Sequence, residues 1–138
     1  MKRAYLISPY SGDTIRNVAY ALKCIHHCFA HGYSPYASHI FLAASGALDD
    51  SDPKDRAFGF EAGLAFLPTC EVAFGFMDLG VSHGMRVDLE SARRLQVRIE
   101  YLSIFGGVPT VDIIHALMLP HAHMPCATCQ IENETNRS

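Results

Sequence analysis

Short apolar runs alternate with helical patterns along this chain, and that alternation restricts the fold more than any other feature. "AYLISP" (residues 4–9) is rich in strand formers and leads into a polar turn, "YSGD". Ile15, Val18, Ala19, Leu22, Ile25 and Phe29 then recur at helical spacing. Asp13 is placed to cap that helix, and Gly32 to close it in left-handed backbone. "YSPYASHIF" follows as a second extended segment or loop. Asp52 before Pro53 starts another helix, because proline suits the first helical position, and "KDRAFGFEAGLAFL" continues it to Pro68. "CEVAFGFM" reads as a strand, "MRVDLESARRL" as a helix, "VRIEYLSI" as a strand and "VPTVDIIHALML" as a last helix. This order favours a parallel sheet covered on both faces. Such sheets bind ligands where the carboxyl ends of the strands run into loops, here residues 8–13, 39–53 and 77–84.

A chain of 138 residues fits one domain, which we place at residues 1–118, with a polar, helix-poor tail at 119–138. Hydrophobic residues make up 49% and charged residues 18%, enough for a core and too little charge for a disordered chain. With a net charge of -3 and no Lys/Arg block, a nucleic-acid polymer is not the expected partner. A small anion still fits, since a helix start can hold one phosphate. No apolar run approaches the ~20 residues of a membrane span, and residues 1–9 do not have a signal-peptide layout. The five cysteines include Cys24 and Cys28 one helical turn apart, which is no secreted disulfide framework. The expectation is a cytoplasmic protein.

The stretch "GVSHGMRVDLESA" carries two carboxylates with different surroundings. On a helix over residues 82–96, Met85, Leu89, Ala92 and Leu95 share one face, and Asp88 points toward the same side. Glu90 lies about 200° round from Asp88, among Arg86, Arg93 and Arg94, where it is a solvated charge open to pairing at i±4. An inward carboxylate costs free energy unless a partner meets it. Asp88 is therefore either a dipole-favoured residue at the edge of the stripe or a functional group.

Other candidates each carry a functional and a structural reading. His39 could contact a ligand or act as general acid, or it could cap and pack. Asn17 could touch a sugar, or it could order the loop before it. Arg56 and Glu61 could reach a neighbouring subunit's site, but read chiefly as surface charges. His121, His123, Cys126 and Cys129 are zinc-type ligands crowded into nine residues, and the alternative is a tail with incidental His and Cys. No other cofactor is expected.

Four stretches together resemble one family. "YLISPYSGD" with Asn17, "GYSPYASHIF", the pattern R-x-x-G-F-x-x-G-L-x-x-L-x-x-C, and S-x-G-M-x-x-D-x-x-x-A are similar to the nucleoside 2-deoxyribosyltransferase-like superfamily. The nearest resemblance is to its small branch found in phage and bacteria, related to 2'-deoxynucleoside 5'-phosphate N-hydrolases. The likeness covers residues 3–102. It implies an α/β, flavodoxin/Rossmann-like three-layer sandwich with a mostly parallel five-stranded sheet. It also implies an N-glycosidase or deoxyribosyltransferase acting on a small nucleotide or nucleoside, as a homo-oligomer (dimer or higher). By position, the family's carboxylate nucleophile falls on Asp88 and its supporting tyrosine on Tyr5. The substrate loop falls on Ser8, Pro9, Tyr10, Ser11 and Gly12, and the phosphate-binding serine on Ser82, with Gly84 and Met85 beside it. The family position is usually Glu, and Asp is one methylene shorter. A retreat of ~1 Å at a reacting atom can cost on the order of 100-fold in rate. That departure gives a non-cleaving nucleotide-binding protein on the same fold as the alternative.

Overall fold

The computed structural model describes residues 1–106. Within them lie β1 (Lys2–Ile7), α1 (Thr14–Ala30), β2 (Tyr33–Tyr36), a π-helical turn (His39–Ala44), α2 (Pro53–Phe66), a 3-10 turn (Leu67–Thr69), β3 (Val72–Phe76), α3 (His83–Arg94) and β4 (Ile99–Leu102). The strands form one parallel sheet in the order β2-β1-β3-β4. The described sheet has four strands, not the five expected, with β2 and β4 at its two ends. The final helix at 108–119, the domain boundary at 118 and the His/Cys tail lie outside the described residues. No helix among the described residues is long and apolar enough to cross a membrane.

Alternation along the strands divides the core in two. Tyr5, Ile7 and Ala73 face Met85, Leu89 and Ala92 of α3, with Leu67 closing the α2 end. Ala4, Leu6, Val72, Phe74 and Phe76 face Tyr20, Cys24 and Cys28 of α1. Period-two side-chain direction sends successive residues of β1 and β3 to opposite layers. This yields the covered parallel sheet expected from the sequence.

α1 is turned differently from its apolar pattern. It buries Asn17, Tyr20, Ala21, Cys24 and Cys28, while Ile15, Leu22 and Phe29 are exposed at 86%, 49% and 48%. The small residues meet the sheet because they let the helix approach it closely, and Tyr20 and Asn17 come with hydrogen-bond partners. The caps fall as the sequence indicates. Asp13 accepts from the Arg16 amide, Asp52 accepts from the Lys54 and Asp55 amides, and Gly32 has φ +81°.

α3 ends at Arg94, and Leu95 leaves the inward stripe at 39% exposure. The stop is local: Gln96 takes φ 57°, and the Val97 amide reaches back to the Ala92 carbonyl at 2.9 Å. That six-to-one bond closes the helix and turns the chain into β4.

Candidate functional site

A cleft opens at the carboxyl ends of β1 and β3, between the loop after β1, the π-helical turn, α2 and the start of α3. Ser8, Tyr10, Ser11, Ser38, His39, Leu42, Asp50, Asp55, Arg56, Phe60, Ser82, Gly84, Met85 and Asp88 are among the residues lining it. This is where the end of a parallel sheet is open to a ligand.

Asp88 looks into the cleft from the second turn of α3. Among the described residues, no hydrogen bond or ion pair reaches its carboxylate. Burial alone pushes its pKa up to about 7. Glu90, two residues on, is exposed, and no ion pair with Arg86 or Arg94 forms. The two carboxylates thus separate as their helical positions require.

Ser82 caps α3, its hydroxyl oxygen accepting from the Met85 amide at 3.2 Å. Ser82 is buried, and Met85 packs in the core with one side on the cleft. Gly84 lies against α2: a Cβ there would sit in ordinary van der Waals contact with the Phe60 ring at 3.8 Å. The first-turn amides of α3 have no main-chain acceptor within the helix, and the Ser82 hydroxyl takes the one from Met85.

Tyr5 lies beneath the cleft, fully buried. Its hydroxyl donates to Ser38 at 3.1 Å and does not bond to Asp88. Burial first, then the nearby Asp88 charge, raise the Tyr5 pKa. Gly63 makes this placement feasible, because a Cβ there would collide with the Tyr5 hydroxyl.

His39 begins the π-helical turn, where a loop was expected. Its Nε2 lies 2.8 Å from the Ser8 hydroxyl, and its ring meets Tyr10 edge-on. Burial lowers its pKa to about 4, so the ring is neutral at physiological pH and cannot serve as a cationic acid there. Asn17 is fully buried. Its amide donates to the Tyr10 and Ser11 carbonyls at 2.9 and 3.1 Å and holds the loop from below. Pro9 is buried under the same loop, and Gly12, at φ 91°, borders a neighbouring hollow with Thr14 and Asp49.

Arg56 is the residue the sequence reading undervalued. It is not a free surface charge: it lines the cleft, lies over Phe60 at 5.3 Å and pairs with Asp50 at 2.7 Å. The signal available was its place in the first turn of a helix whose N-terminus follows a long loop. Glu61 is exposed, as read. No cluster of three or more metal-type ligands occurs among the described residues, and the set His121, His123, Cys126 and Cys129 lies outside them.

Residues 2–102 match the family model described as Domain of unknown function (DUF7768). No curated protein matches the chain in sequence. A solved structure of a 2-deoxyribosyltransferase from the psychrotolerant bacterium Bacillus psychrosaccharolyticus is similar in fold, with a TM-score of 0.56 and 18% identity. The match covers 80% of this chain and 79% of that one. At that identity the likeness establishes a shared α/β, parallel-sheet architecture and no more.

Proposed function

The chain belongs to the DUF7768 family, and from its fold and cleft we propose that it binds a nucleoside or nucleotide and cleaves or exchanges the N-glycosidic bond. One observation carries this reading: an unpartnered carboxylate, Asp88, faces a cleft walled by hydroxyls, an imidazole and aromatic edges. The fold shared with a 2-deoxyribosyltransferase supports it. So does the pattern Ser82-x-Gly84-Met85-x-x-Asp88 at the cleft.

In this scheme ionised Asp88 attacks the anomeric carbon as the bond to the base breaks. The base leaves with the bonding electron pair and takes a proton from solvent water; water or a second base then attacks the glycosyl ester, gives its proton to solvent and releases the Asp88 carboxylate. Tyr5 acts from below by fixing Ser38 on the cleft wall. Neutral His39 offers a hydrogen bond to base or sugar. Ser82 keeps its hydroxyl proton to donate, since its oxygen only accepts in the cap. The loop Ser8–Gly12 closes the sugar end, shaped by Asn17 and Pro9. No cofactor enters the scheme, and a homo-oligomer is the working assembly.

Incubation with ribo- and deoxynucleosides and their monophosphates, followed by chromatography for free base, tests it. Release that disappears in Asp88→Ala and climbs as pH rises through about 7 supports the proposal. Release that survives Asp88→Ala sinks it. A second reading has its own observation: a carboxylate that burial leaves only partly ionised at neutral pH, on the shorter Asp, is a poorer nucleophile than a fully ionised one. A binder that does not cut would show no base release and a ligand-dependent rise in Tm. Ligand at ~100 Kd adds about 2.7 kcal/mol.

A further inference from the structure

We propose that α1 carries a dimer interface: its outer apolar stripe pairs with the same stripe of a second copy of this chain, antiparallel about a twofold axis at Leu22.

Two faces of α1 seek burial. One meets the sheet through Asn17, Tyr20, Ala21, Cys24 and Cys28. The other consists of Ile15, Val18, Leu22, Ile25 and Phe29, spaced alternately three and four residues apart. That is the a/d repeat of a coiled-coil seam. At about 100° per residue the two faces are centred roughly 120° apart, so the helix cannot turn both to its own sheet. Ile15 is 86% exposed, Leu22 49% and Phe29 48%. Val18 and Ile25 are half-buried at the margin nearest the sheet. No charged residue interrupts the stripe, and Arg16 and Lys23 lie well round the helix from it.

The described chain stays clear of this stripe. It ends beyond β4, where Phe105 meets α1 on the other flank. There Phe105 packs on Tyr20 at 5.8 Å, and the Lys23 ammonium lies 5.9 Å from its ring centroid. That flank is about 150° round the helix from the stripe. The chain thus leaves the described fold on the side of α1 away from the stripe, which favours a second copy over the chain's own C-terminal segment as its occupant. The residues lining the cleft include none of α1, so pairing here leaves both clefts open.

The stripe is complementary to itself in one direction. With Leu22 on the axis, antiparallel copies set Ile15 against Phe29 of the second copy, and Val18 and Ala19 against its Ile25 and His26. Asp13 stands at one end of the helix and His26, His27 and His31 at the other. Antiparallel pairing puts unlike ends together and opposes the two helix dipoles, whereas parallel pairing would set like ends side by side. Ile15, Leu22 and Phe29 leave on the order of 300 Å² of apolar surface, a size at which a patch on a monomer is often functional. Two stripes, with their flanking side chains, approach the ~1,200 Å² in total that the smaller specific interfaces bury.

Sedimentation equilibrium on the full chain tests the pairing. Wild type is expected to be chiefly dimer at about 100 μM, where an interface of micromolar Kd is mostly filled. Leu22→Glu sets two carboxylates face to face and should raise the dimer Kd by about 100-fold or more. Leu22→Lys should do the same, and an equal mixture of the two variants should recover the dimer, because position 22 meets itself across the axis. Ile15→Glu combined with Phe29→Lys in one chain should dimerise better than Ile15→Glu alone, since antiparallel copies bring those two positions together. A wild type that stays monomeric overturns the proposal, as does a dimer that Leu22→Glu leaves unweakened. A mixture no more dimeric than either Leu22 variant alone overturns it too, and a double variant no better than Ile15→Glu overturns the antiparallel arrangement. Should Leu22→Glu fail to fold, Ile15→Glu at the most exposed position of the stripe replaces it, and a dimer unaffected by that change overturns the proposal.

Discussion

Asp78 and Asp88 lie near the same end of the sheet and have opposite fates. Asp78, just past β3, is surrounded by donors: the Tyr20 hydroxyl at 2.6 Å, the Ser103 hydroxyl, and the amides of Ile104 and Phe105 at 3.0 and 3.3 Å. Burial pushes its pKa up, but those hydrogen bonds outweigh burial and hold it below the usual carboxylate value. Asp88 has burial without donors and rises to about 7. The first carboxylate ties α1, the β3 loop and the end of β4 together. The second carries the desolvation cost of burial with no described donor to offset it, on the wall of the cleft. Carboxylates whose surroundings drive their pKa values apart divide structural from chemical work.

The largest expected effect tests the structural half. Asp78→Ala removes the acceptor shared by the Tyr20 and Ser103 hydroxyls and the Ile104 and Phe105 amides, and should cost about 3 kcal/mol in urea denaturation. Its depressed pKa means this stability is present above the ordinary Asp value and fades as pH falls through the folded one. A loss below about 1 kcal/mol would dissolve the contrast with Asp88.

Asp88→Asn tests the other half and should act in the opposite direction. The folded protein holds the Asp88 proton more tightly than the unfolded chain does. Wild type therefore loses stability as pH rises from about 4 to about 7 and levels off above that. The variant should lack this decline, match wild type below about pH 4 and exceed it by about 3 kcal/mol at pH 8. Equal urea midpoints for the two proteins at pH 8 would mean that Asp88 is solvated.

Gly63→Ala should cost about 1.5 kcal/mol, because the added methyl displaces the Tyr5 hydroxyl from Ser38. Ligand affinity should fall with stability, since Ser38 lines the cleft. Thermal unfolding with and without nucleotide separates the two losses. The smallest effect, about 1 kcal/mol, belongs to Ser82→Ala through the lost cap. Ser82→Thr retains the capping oxygen and should recover most of that loss in the same unfolding assay.

Much of this was legible from spacing. The alternation of elements, the caps at Asp13, Asp52 and Ser82, and the division between Asp88 and Glu90 all follow from local rules acting within a few residues. The orientation of α1 was not legible: Ile15, Leu22 and Phe29 mark the more apolar face, yet the sheet selected Ala21, Cys24 and Cys28. Close packing against a parallel sheet rewards small size, which hydrophobic periodicity does not measure. Arg56 was missed for a related reason. Its partner Asp50 is six residues away across a helix cap, and the Gly84 it approaches is on another helix.

The sequence by itself determined the order of strands and helices, their ends and which helix carries the inward carboxylate, because those outcomes depend on backbone preference and on the periods of two and 3.6 residues. Only the tertiary structure decided that no described residue would pair with Asp88, that His39 would be neutral and that Arg56 would face the cleft. Burial and charge at a site are set by residues brought together from distant parts of the chain, and no local period encodes them.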